Sequence, residues 1–142
     1  MKYFLLEPEV AGELGAGTVL DSTVHPPRIS RLNYELSGWV GDAILESFPC
    51  FIVAADLAGA LTAGSLTGFA LDEVEVTKSQ EFDSMYPSRE LPKFFWLQIV
   101  GLASKDDFGL APDHRLVVSE KALEQLSRFG LNSALVEAFD AP

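Results

Sequence analysis

The chain has one cysteine, two histidines and ten basic residues among its 142, and each scarcity excludes a class of chemistry. Cys50 stands alone, so no internal disulfide can close. Its neighbours Pro49 and Phe51 mark a buried thiol that packs as a small hydrophobe, as expected in a reducing cytoplasm. His25 and His114 have no second His or Cys at ligand spacing, so no metal is expected. Nothing near Cys50 would activate its thiol for a nucleophile–base pair with either histidine. There is no Gly-x-Ser-x-Gly elbow and no phosphate loop ending in Gly-Lys-Ser/Thr. Gly12, Gly15 and Gly17 stand in the wrong order for a dinucleotide fingerprint. No apolar run approaches the roughly 18 residues of a membrane helix, since the best stretch, 48–61, is divided by Asp56. The run at 3–6 is too short for a signal peptide and is followed by Glu7 and Glu9. The expectation is a cytoplasmic protein with no catalytic centre, cofactor or metal.

Acid is what the chain has in excess. Twenty-one Asp and Glu face ten Lys and Arg, a formal net charge of −11. Such a surface repels phosphates, which argues against nucleic acid and membrane as partners, and it attracts a basic protein. A surplus of this size also serves solubility alone.

With 48% hydrophobic residues and ten Phe, the chain can bury a core as one domain spanning 1–142. Residues 2–6 read as a strand, and 8–31, with its glycines and Pro26-Pro27, as an irregular or briefly helical excursion. The main body is 32–142. Strands are expected at 32–36, 50–53, 69–77, 94–100, 116–118 and 135–139. Helices are expected at 43–47 behind Asp42, at 55–62 before Gly64, and at 120–129 between a Ser119 cap and Gly130. Pro87 and Pro92 bracket a loop. Residues 51–74 echo 116–139 at an offset of 65 positions, each reading strand, helix, turn, strand. The class is therefore α+β: a mixed central sheet with two strand–helix–strand units packing helices on one face.

Carboxylates cluster at Asp72, Glu73 and Glu75 and again at Asp106 and Asp107. Alternation in a strand would throw Glu73 and Glu75 to one solvent side. These groups suit a hydrolase acid/base pair, a hydrated rim, or an acidic face for Arg and Lys of a partner. Trp96 reads as core and Trp39 as a plug at its end. Tyr86, between Met85 and Pro87, reads as an exposed anchor.

Several segments resemble a known group: Leu32-Asn33-Tyr34, Gly38-Trp39-Val40-Gly41-Asp42, Leu91-Pro92-Lys93-Phe94-Phe95-Trp96-Leu97, Asp106-Asp107-Phe108, and Leu116 through Leu123. Together they resemble predicted immunity proteins of bacterial polymorphic toxin systems. The likeness spans about 32–136 and leaves the first thirty residues unmatched. It implies a small α+β protein that neutralises a cognate secreted toxin by binding it, and it transfers no catalytic residue. A basic, nucleic-acid-targeting toxin would suit the charge. The contact residues expected on that reading are Asp72, Glu73, Glu75, Tyr86, Asp106 and Asp107. A small carboxylate-dependent hydrolase using Asp106, Asp107 or Glu73, or a regulatory interaction module, is the alternative.

Overall fold

The structure, a computed structural model, describes residues 2–140. The chain begins with β1 (Tyr3–Glu7), β2 (Gly12–Leu14), β3 (Val19–Asp21), β4 (Arg28–Arg31) and β5 (Asn33–Leu36). A first unit follows: β6 (Ile44–Ser47), β7 (Cys50–Ala54), α1 (Ala55–Ala63) and β8 (Phe69–Asp72). An insert carries β9 (Glu75–Lys78) and α2 (Gln80–Met85), and then comes β10 (Phe94–Ile99). The last unit is β11 (Phe108–Leu110), β12 (Leu116–Ser119), α3 (Glu120–Phe129) and β13 (Leu135–Phe139). The class is α+β. No described helix is long and apolar enough to cross a membrane.

The strands divide among four sheets in place of the expected single mixed one. Two are four-stranded and antiparallel, ordered β6-β7-β10-β8 and β11-β12-β1-β13. A three-stranded sheet, β2-β5-β9, pairs β5 with β9 in parallel, and β3 with β4 form a hairpin arm. Neither strand–helix–strand unit pairs its own strands. β10 lies antiparallel between β7 and β8, and β1 lies likewise between β12 and β13. The two outer strands of each unit thus stay parallel to each other, two strand spacings or about 9.6 Å apart.

The echo at 65 positions is realised in register. Phe94 pairs with Ala54 and Tyr3 with Ser119, while Trp96 pairs with Asp72 and Leu5 with Glu137. Ala54 to Ser119 and Asp72 to Glu137 are both steps of 65. The hairpins β6–β7 and β11–β12 also correspond, with Ile44 opposite Val53 and Phe108 opposite Val118. The two halves are therefore the same four-stranded unit, and β1 takes in the second the place that β10 takes in the first.

Three local expectations are corrected, and one unassigned stretch, 80–85, is helical. Residues 43–47 form strand β6, not a helix capped by Asp42. Five residues cannot repay helix nucleation, and buried Ile44 and Leu45 pair with Val53 and Ile52. The expected strand 69–77 is broken, because Asp72 Oδ1 accepts the Glu73 N–H at 2.8 Å and turns the chain from one sheet into another. The excursion 8–31 holds three strands. Residues 80–85 form α2, whose Ser79 cap accepts from Phe82 N at 3.1 Å.

Two main cores result. One lies between the helices and the inner faces of both four-stranded sheets, uniting Leu57, Leu61, Ala122 and Leu126 with Phe51, Leu97, Leu6 and Val118. The other lies between the outer face of the first sheet and the three-stranded layer, where Ile52, Phe94 and Trp96 meet Tyr34, Leu36 and Phe82.

Candidate functional site

The two acidic clusters expected to form one rim occupy opposite ends of β8, a strand of four residues or about 13 Å. Asp106 and Asp107 sit at its start and serve the fold. Asp107 accepts from Thr67 N at 2.9 Å and from Ser119 Oγ at 2.6 Å, and Asp106 accepts from Leu102 N at 2.8 Å. Asp107 has a counterpart by the internal symmetry. Asp42, buried, accepts from Asn132 N and Ser133 N, each at 2.8 Å. Asp42 and Asp107 are again 65 positions apart, and so are the residues they hold, Thr67 and Asn132. Each unit thus uses an aspartate beside its first strand to hold the helix–strand loop of the other. Gly68, at φ +93°, permits this junction, since a Cβ there would collide with the Phe108 carbonyl.

Asp72, Glu73, Glu75 and Tyr86 fall together in the segment 72–93, which beyond Asp72, the last residue of β8, lies outside the repeated frame. The segment holds six carboxylates (Asp72, Glu73, Glu75, Glu81, Asp83 and Glu90) and three cations. Every cation is engaged within the chain. Lys78 Nζ donates to the Arg89 carbonyl at 2.8 Å and lies over the Phe82 ring. Arg89 is sandwiched between Trp39 and Tyr86, its Cζ 4.7 and 5.1 Å from the ring centres, and donates to the Trp39 carbonyl at 3.0 Å. Lys93 pairs with Glu73 at 3.0 Å and covers Phe95. Among the described residues Glu75 has only Arg31 as an ion-pair partner, at 3.9 Å. Asp72, Glu81, Asp83 and Glu90 are exposed with no ion-pair partner among the described residues.

The aromatic residues sort by depth. Trp96 is buried and Trp39 is half-buried, edge-on to Phe94 with its Nε1–H donated to the Asp42 carbonyl. Tyr86 is also half-buried, packed 5.2 Å from the Phe82 ring, so it presents only part of its ring. Met85, 59% exposed at the end of α2, is the apolar side chain that projects beside Glu81 and Asp83. Sequence reasoning passed over Glu81, Asp83, Glu90 and Met85. The acid-to-base ratio, six to three over 72–93, matches that of the whole chain, so composition gave no signal for them.

Other chemistry-bearing groups are set apart from this segment. Burial pushes the Cys50 thiol up to about 12, which keeps it protonated and unreactive. His25 and His114 meet beside Phe48, ring centres 6.1–6.4 Å apart, at the rim of a cleft of about 210 Å³ lined by Pro26, Pro49 and Gln98. Among the described residues no group of three or more His, Cys, Asp or Glu is placed to hold a metal ion. The hydrolase candidates Glu73 and Asp107 are separated by the length of β8.

No protein-family profile, curated protein or solved structure matches the chain.

Proposed function

We propose that this chain is a cytoplasmic binding protein of the immunity type, which holds a basic toxin domain against the acidic segment 72–93 and so neutralises it. The observation that carries the reading is the engagement of Lys78, Arg89 and Lys93 within the fold while the carboxylates around them face solvent. Arg and Lys of a partner would supply the missing counter-charge, and Met85 adds an apolar contact amid them. The resemblance over 32–136 agrees in class. A segment added to a duplicated scaffold is also where binding residues are free to vary without disturbing the frame.

The test pairs this protein with the toxin domain encoded beside its gene. Association should be fast at low salt and slow as salt rises. Reversing Glu81, Asp83 and Glu90 together to Lys should lower the association rate by about tenfold or more at low salt, flatten its salt dependence, and remove protection of cells expressing the toxin. Unchanged rate and protection in that variant would sink the reading.

A further inference from the structure

We infer that His25 and His114 form a site for one divalent transition-metal ion, which clips the β3–β4 arm to the second unit. They are the chain's only two histidines, 89 positions apart in sequence, and the fold brings their ring centres to 6.1 Å. His25 lies exposed at the tip of the arm, in the loop between β3 and β4. His114, half-buried, lies in the turn between β11 and β12. The internal symmetry shows that this turn is altered. Four residues separate the paired Glu46 and Phe51 across the β6–β7 turn, whereas five separate Leu110 and Leu116. The longer turn holds His114 at φ +70°, a left-handed conformation that costs free energy for a residue with a Cβ. Phe48, in the shorter turn, closes the third side, 6.2 and 6.4 Å from the two imidazoles.

The chemistry of the pair fits such an ion. Imidazole is a ligand for Zn²⁺, Ni²⁺ and Cu²⁺. A metal about 2.0–2.1 Å from each ligating nitrogen sets two ring centres about 5 Å apart at a tetrahedral angle and about 6 Å apart at a wide one. The observed 6.1 Å is therefore within reach after side-chain rotation of about 1 Å. The ring nitrogens are also free to bind. His114 closes its turn through its backbone N–H, donated to the Ala111 carbonyl at 2.8 Å, and Asp113 is taken by Arg115. Among the described residues no hydrogen bond engages either imidazole. Arg115, the cation beside His114, is offset by Asp113 at 2.8 Å and Glu137 at 3.1 Å, which leaves the local charge favourable to a metal cation. Water fills the remaining coordination positions, so the ion exchanges readily. Its effect falls on the arm, whose strands pair only with each other among the described residues. Thr18 and Asn33 tie the base of the arm. A shared ion would tie the tip, over the cleft between Pro26, Pro27 and Ile29 of the arm and Pro49 and Gln98 of the body.

The experiment is calorimetric titration of the chelator-treated full chain with Zn²⁺, and separately with Ni²⁺, at neutral pH. One equivalent should bind with a micromolar Kd that excess Mg²⁺ does not change. His25→Ala and His114→Ala should each raise that Kd by about tenfold or more, with circular dichroism melts confirming that both variants fold. Cys50→Ala, which removes the chain's one thiol, should leave it unchanged. Hydrogen exchange read by mass spectrometry should slow across residues 19–31 when Zn²⁺ saturates the parent, and should not in His25→Ala. Absence of saturable binding at millimolar metal overturns the inference. So does binding indifferent to either histidine change, binding lost with Cys50→Ala, or arm exchange that the metal leaves unaltered. Glu81, Asp83 and Glu90 take no part in this site, so the toxin-binding reading stands or falls separately.

Discussion

Asp42 and Asp107 look alike in sequence to any of the other acidic residues, yet they close the junction between the two halves. A buried carboxylate that accepts two backbone N–H groups leaves both unsatisfied when it is removed. Asp42→Ala should therefore cost about 2–4 kcal/mol in chemical denaturation. Asp42→Asn, which keeps one acceptor oxygen, should cost less. By contrast, exposed Glu81→Lys and Asp83→Lys should each stay within about 0.5 kcal/mol, which keeps a loss of binding separable from a loss of fold. Glu9 gives the pH signature. Burial raises its carboxyl above the ordinary 4.5, the Val40 N–H that it accepts opposes this, and nearby Asp42 adds to the rise; among the described residues its buried Oε1 has no hydrogen-bond partner. A raised folded value means stability that is complete below 4.5 and lost as pH rises through the folded value. Glu9→Gln should accordingly melt higher than the parent near neutrality, with the gain shrinking to nothing as pH falls below that point. A variant less stable than the parent at neutral pH would show that the charged form is favoured after all.

The two equivalent helices differ at one decisive position. Ser119 caps α3 by accepting from Ala122 N at 3.0 Å, and its hydroxyl also donates to Asp107. Its counterpart at α1 is Ala54, with the same extended backbone and no side-chain cap. Ser119→Ala should cost about 1–2 kcal/mol, and Ala54→Ser should gain up to about 1 kcal/mol. Thermal and urea unfolding of both variants checks the pair, and a destabilising Ala54→Ser would mean that packing at that site outweighs the cap. α3 was legible from residues 119–130 because its cap, apolar stripe and terminal glycine all lie within it. α2 was not, since it buries Phe82 alone and offers too short a pattern. β6 was misread as a helix because Ile44 and Leu45 are both buried, one toward each core, which erases the alternation that marks a strand.

At the scale of the molecule, β1 belongs to the last unit although it comes first in the chain, with Tyr3 opposite Phe139. A permutant in which a short turn joins Asp140 to Lys2 and the chain is reopened in the loop between β10 and β11 should fold to the same structure. It should melt within about 5 °C of the parent, as read by circular dichroism. Failure to fold would show that the covalent order, and not the symmetric frame, organises assembly.

The sequence by itself determined the α+β class, the strong strands 94–99 and 116–119, the helices α1 and α3, and the offset of 65 that foretold two equal units. These are local matters of periodicity, capping and spacing. Only the tertiary structure decided which strand enters between the arms of each unit, because β1 pairs with β12 across 110–116 positions and β10 pairs with β8 across 24–30. It also separated the acidic residues into two kinds. Asp106 and Asp107 hold backbone N–H groups of distant or looped-back residues within the fold, whereas Glu81, Asp83 and Glu90 keep their charge toward solvent, a difference set by which donors packing brings within hydrogen-bond reach.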